Sequence, residues 1–219
     1  MLILGIDTTE KFVNIALTED ENIIFEEELP TPRTEDLILY AKELFEKVGK
    51  KLSDLNAIGV ITGPGGYTGT RSGIVVAKTL SQFLKIPIVG ITKTDALIYS
   101  FGQENKLVAP MIDIKRGEAF SCIGYYDSKL NVVYKTQGKV FAITEWVDFL
   151  QKQKDEIVLL ASNFVNNLGE FNLLPDNITV LYEKTLRPSV LCNITKLFIE
   201  NGKATTYLNV EPFYVREAV

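Results

Sequence analysis

Leu2-Ile3-Leu4-Gly5-Ile6-Asp7-Thr8-Thr9-Glu10 opens the chain, and Leu107-Val108-Ala109-Pro110-Met111-Ile112-Asp113 answers it, its aspartate 106 positions after Asp7. Each is an apolar run that ends in an aspartate and a polar turn. Runs of this length bounded by turn residues read as buried strands. Two more strands follow each aspartate: Phe12 to Leu17 and Ile23 to Glu28 in the first copy, Ala119 to Tyr126 and Val132 to Val140 in the second. Self-similarity on this scale implies two related lobes.

Outward from these runs, strands and helices alternate. Pro30 and Pro32 break the chain, and Thr34 is placed to cap a helix from Glu35 to Val48, with Gly49 just past its end. Its apolar residues are unusually many. Leu37, Ala41, Leu44 and Val48 make one stripe, while Ile38 and Phe45 lie on another beside Leu39 and Tyr40. A helix packed by one face needs only the first stripe, so the second points to a further contact, within the fold or with a partner. A strand at Ala57 to Thr62 leads into a glycine-rich segment and a helix that runs to Leu84. A strand at Pro87 to Ile91 and a short helix at Thr94 to Tyr99 follow. The pattern resets near Phe101-Gly102-Gln103-Glu104-Asn105. The second half then adds helix Thr144 to Gln153, strand Ile157 to Ala161, helix Phe164 to Phe171, strand Ile178 to Tyr182 and helix Pro188 to Glu200. The reading is an α/β fold of mixed sheets flanked by helices. Its first lobe is 1–101, completed by 200–219, and its second is 102–199.

Composition narrows the function. The 219 residues are 46% hydrophobic and 23% charged, the balance of a globular chain. A chain this long buries roughly 70–75% of its unfolded surface and needs no disulfide to fold. Cys122 and Cys192 are expected as buried free thiols. Acidic residues outnumber basic ones, 28 to 23, which argues against unaided binding of a polyanion. There is no histidine, which removes Ser-His-Asp and Cys-His catalysis and HExxH zinc sites. The apolar start is too short for a signal peptide, and no run approaches the ~20 residues of a membrane span. A cytoplasmic protein is expected.

Gly63-Pro64-Gly65-Gly66-Tyr67-Thr68-Gly69-Thr70-Arg71-Ser72-Gly73 carries five glycines in eleven residues between a strand and a helix. Two readings stand. One is an anion cradle, with backbone N–H groups at a helix start aimed at phosphate. The other is a tight crossover whose glycines permit close backbone packing. Walker A and dinucleotide fingerprints both fail here. Asp7 and Asp113 also have two readings. Together they could hold a hydrated magnesium ion on a nucleotide, or Asp7 could cap its own turn while Asp113 pairs with Lys115 or Arg116. The turn Lys115-Arg116-Gly117-Glu118 is otherwise expected to be an ordinary solvated hairpin.

Four segments resemble the TsaB family, also called YeaZ, of bacterial tRNA threonylcarbamoyladenosine synthesis. They are Leu4 to Glu10, the glycine-rich Gly63 to Gly73, Asp113-Ile114-Lys115-Arg116-Gly117-Glu118-Ala119-Phe120, and Pro212-Phe213-Tyr214-Val215-Arg216. The second is similar to the family's Gly-Pro-Gly-Ser-Phe-Thr-Gly-Leu-Arg-Ile-Gly signature. Arg33-Thr34-Glu35 departs from a His-Ser-Glu helix start, and Lys115 stands where the family has arginine. The resemblance implies a two-lobed actin-like ATPase (ribonuclease H-like) fold and a non-catalytic dimerisation subunit. Such a subunit pairs with TsaD, and the pair recruits the ATPase TsaE. Alone it forms a homodimer, and it meets tRNA only indirectly. The expected partner-binding residues are Leu37, Tyr40, Ala41, Leu44, Arg71, Ile74, Val75 and Lys78, with no catalytic residue, metal or required cofactor. A charge at Leu44 or Val75 is expected to weaken partner binding without unfolding. The rival reading is a small-molecule kinase or ATPase with Asp7, Thr8, Gly65, Gly66 and Asp113 around Mg-ATP. A peptidase has the least support, since no nucleophile–base pair is visible.

Overall fold

The computed structural model describes residues 1–30, 34–102, 105–162, 164–182 and 186–216. Arg33, Gln103 and Glu104 lie outside them, as do the side chains of Thr34 and Glu35, and with them the expected cap. The chain divides into two units. The first is Met1–Lys93 with Arg187–Tyr214, and the second is Thr94–Leu186 with the chain from Val215 on.

In the first unit, β1 (Leu2–Asp7) is buried at every position. It pairs antiparallel with β2 (Phe12–Glu19), which pairs antiparallel with β3 (Asn22–Pro30). On its other side β1 runs parallel to β4 (Ala57–Ile61), and β4 to β5 (Ile88–Ile91). A strand buried on both faces has no polar alternation, which is why β1 and β4 read as unbroken apolar runs. Side chains still alternate: Leu2, Leu4 and Ile6 enter the core that includes α1 (Thr34–Lys47) and α2 (Tyr67–Leu84), while Ile3 points the other way, toward Cys192.

The opposite face is covered by α6 (Pro188–Glu200), which packs on β1, β2 and β4. Gly5 and Gly59 are register partners across β1 and β4. A Cβ on Gly5 would sit 2.7 Å from the Pro188 carbonyl, and one on Gly59 would collide with Thr195 Oγ1. This glycine pair lets the helix backbone approach the sheet. Helix α6 thus belongs to the first unit, whereas the expected boundary at 199 put it in the second lobe.

The second unit repeats the plan. Strands β6 (Leu107–Asp113), β7 (Glu118–Tyr126) and β8 (Val132–Ala142) form the antiparallel part, and β9 (Ile157–Leu160) and β10 (Ile178–Leu181) the parallel part. The sheet orders are β3-β2-β1-β4-β5 and β8-β7-β6-β9-β10, one topology used twice. The second core is built around Trp146 on α4 (Ile143–Leu150), stacked on Phe149 and tilted against Phe141. Helix α3 (Lys93–Phe101) opens on the last residue of the first unit. Residues expected as a helix from Phe164 form a 3-10 turn, Val165–Asn167, and a single α turn, α5 (Leu168–Phe171). Among the described residues no helix is long and apolar enough to cross a membrane.

Candidate functional site

The site begins at the turn after β1. Asp7 is only 2% exposed. Its Oδ1 accepts hydrogen bonds from Thr9 N at 2.9 Å and Thr9 Oγ1 at 2.6 Å, the aspartate-capped turn that was one of its two readings. Its Oδ2 faces Lys93 Nζ at 3.3 Å. Lys93 is itself buried, and its ammonium also donates to Thr9 Oγ1 at 3.2 Å and to Glu10. Burial opposes the lysine's charge, but the carboxylates of Asp7 and Glu10 outweigh it and hold the lysine pKa above its ordinary value. Lys93 is the residue that sequence reasoning missed. The signal was a cation two residues past a buried strand, but nothing in the sequence linked it to Asp7.

Helix α2 is seated on this turn. It starts at Tyr67, so Gly69 and Gly73 lie within it instead of in a preceding loop. A Cβ on either glycine would overlap Thr8, and one on Gly65 would overlap Thr9. Thr8 Oγ1 donates to Gly69 O at 2.7 Å, and Gly66 N donates to Thr9 O at 2.7 Å. Close packing, the second reading of the segment, is what these glycines do. Of the candidate nucleotide residues, Asp7 and Thr8 are buried in this contact, while Gly65 and Gly66 are exposed.

Asp113 lies in the second unit. Its carboxylate accepts Lys115 N at 2.7 Å and pairs with Lys115 Nζ at 2.8 Å. The turn beyond it is not ordinary: Lys115, Arg116 and Gly117 have φ of +70°, +63° and +74°, three successive left-handed residues. Both cysteines are free and buried, and burial pushes each thiol up to about 12.

The expected partner residues separate into two groups. Leu37, Ala41, Leu44 and Ile74 are at most 4% exposed and belong to the first unit's core, so they are not surface. The sequence stripe marked the helix faces turned inward. Tyr40 is half-buried, and so is Lys78, whose Nζ donates to Val210 O at 3.0 Å. Val75 is 54% exposed. Arg71 is exposed, stacked over Tyr67 with its carbon 4.0 Å from the ring centre, and its Nε donates to Tyr214 at 2.6 Å. Off the inner stripes stand Ile38 and Leu39 on α1 and Phe83 on α2, the last 82% exposed. Leu208, in a 3-10 turn packed on α2, is also exposed.

Comparison with known proteins agrees with this architecture. The profile of the family described as "TsaD: tRNA N6-adenosine threonylcarbamoyltransferase" matches residues 33–161. The tRNA threonylcarbamoyladenosine biosynthesis protein TsaB of Bacillus subtilis is 32% identical over 162 residues, 73% of this chain and 69% of that protein. TsaB of Buchnera aphidicola subsp. Schizaphis graminum is 25% identical over 205 residues, covering 92% and 95%. The solved structure of YeaZ from Pseudomonas aeruginosa superposes with a TM-score of 0.72 at 17% identity, covering 97% of this chain and all of that one. The twice-used sheet order and this likeness give the expected actin-like ATPase fold. With that fold, the glycine-rich segment seated on the Asp7 turn and the identity to the Bacillus protein, this chain belongs to the TsaB (YeaZ) family.

Proposed function

We propose that this protein is a non-catalytic subunit of tRNA threonylcarbamoyladenosine synthesis, which docks a TsaD protein and, with it, TsaE. The carrying observation is on α2. Its inner stripe is fully used by the core, yet Val75 and Phe83 remain at the surface. Two apolar side chains left on the outside of a helix whose core stripe is already filled offer a partner apolar area to bury. The Asp7 carboxylate, held by Lys93 and Thr9, supports a site without chemistry of its own. So does the lack of any histidine. On this reading the protein needs no cofactor, works in the cytoplasm and forms a homodimer when alone. Its net charge of −5 favours contact with tRNA through its partners.

The test is tRNA modification in a mixture of TsaC, TsaD, TsaE, ATP, threonine and bicarbonate, with and without this protein. Modification that depends on it, while the protein alone turns over no ATP, is expected. Modification indifferent to it sinks the reading. The exposed backbone at Gly65 and Gly66 favours one rival, a small-molecule kinase or ATPase that holds nucleotide phosphate at the glycine-rich segment of the first unit. Calorimetry that detects no binding of millimolar ATP removes that rival.

A further inference from the structure

We propose that the end of the first unit, Glu211–Tyr214, is a releasable latch that holds the opening turns of α2 in helical form. Those turns are weak by themselves. Gly66 caps the helix without a side-chain hydrogen bond, and Gly69 and Gly73 lie inside it. Glycine has little helix propensity. Thr8 presses on both glycines from one side. Two positions along a helix turn it by about 200°, so Tyr67 and Arg71 face away from that contact. There the closing segment meets them. Arg71 Nε donates to Tyr214 Oη at 2.6 Å, its guanidinium carbon stands 4.0 Å from the Tyr67 ring centre, and the Tyr67 and Tyr214 rings stack at 5.0 Å. Beside them Phe213 N donates to Thr62 O at 2.7 Å, and a Cβ on Gly63 would stand 2.4 Å from Phe213 O. The glycine-rich segment and the closing segment, with Arg71 and Tyr214 143 positions apart, are thus two halves of one lock.

The chain just before the latch is held more firmly. Thr205 and Ile88 of β5 exchange two backbone hydrogen bonds, Lys78 Nζ donates to Val210 O at 3.0 Å, and Val210 is 3% exposed. Beyond Val210 little is buried: Glu211 and Phe213 are exposed, and Pro212 and Tyr214 are half-buried. A segment with solvent-reached ties and little buried apolar surface opens without global unfolding. Opening therefore leaves Val210 seated, frees residues 211–214 and removes the outer support of the α2 start. Arg71 acts here through Tyr214, as a positioning residue. The latch works whether or not α2 docks a partner.

The experiment is amide hydrogen exchange on the wild-type protein, Tyr214→Ala and Arg71→Ala. In both variants the amides of residues 70–74 are expected to lose at least tenfold in protection, while those of β1 keep their wild-type protection. Arg71→Ala is the sharper arm. Alanine is the better helix former, so propensity alone predicts more protection there, not less. Unchanged or increased protection at 70–74 in a folded variant overturns the proposal. An equal loss in β1 also overturns it, because the tie would then belong to global stability. If Tyr214→Ala does not fold, Arg71→Ala, at an exposed position, decides by the same measurement. Failure of both to fold overturns the proposal as well, because the fold does not depend on a latch that releases.

Discussion

Glu26 ties the edge strand β3 to the start of α6. Its Oε1 accepts Ser189 N at 2.9 Å, and its Oε2 accepts Arg187 Nε at 3.0 Å. A carboxylate at a helix N-terminus satisfies an otherwise unpaired N–H and meets the positive end of the helix dipole. Burial alone would raise the Glu26 pKa, but the hydrogen bonds from Arg187 and Ser189 outweigh it and hold the pKa below the ordinary value of 4.5. A folded-state pKa below the unfolded one gives stability that is present above the unfolded value and lost as pH falls through the folded one. Melting temperature is therefore expected to fall more steeply below pH 4.5 in wild type than in Glu26→Gln. At neutral pH Glu26→Gln should cost about 1 kcal/mol. Equal acid slopes in the two melts would remove Glu26 from this role. Residues differ in how far the sequence reveals them. Asp7 and Asp113 are legible because the chain repeats and each closes a copy of the same strand. Lys93 is not, because it meets Asp7 from 86 positions away.

Helix α2 shows where local reasoning is overridden. Glycine is a poor helix residue, so a segment with Gly69 and Gly73 reads as loop. The structure makes it helix because those two positions press on Thr8, where no side chain fits. The signature was therefore recognisable and its conformation was not. On α1 and α2 the inner stripe was legible as apolar spacing, but spacing does not say which of two apolar faces meets the sheet. Burial assigns Leu44 to the core and leaves Val75 and Phe83 outside. Val75→Glu and Phe83→Glu are thus expected to keep stability within about 0.5 kcal/mol, as surface changes do. Each should weaken co-purification with TsaD at least tenfold. Leu44→Glu, against the earlier expectation, should cost about 3 kcal/mol or more by burying a charge. Thermal melts beside a pull-down distinguish the two classes. Intact binding by both surface variants would place the partner elsewhere.

At the scale of the whole chain, one strand order appears twice, and α6 returns to the unit that began it. The duplication was legible because strand, aspartate and turn recur in the same order. The return of α6 was not, because chain order placed it after the second sheet, whereas its fit is set by Gly5 and Gly59 of the first. The aromatic core of the second unit has a practical consequence. Trp146 is the only tryptophan in the sequence and is fully buried there. Indole emission is thus a private reporter of one half of the molecule, silent about the other, while far-ultraviolet circular dichroism sums both. Leu44→Glu should therefore lose ellipticity while its emission stays at the blue wavelength of a buried indole. A red shift in that variant would show that damage in one half spreads to the other. Emission from the wild-type protein should ignore a partner seated on α1 and α2, so any optical signal of docking must come from a tryptophan placed in the first half or in the partner.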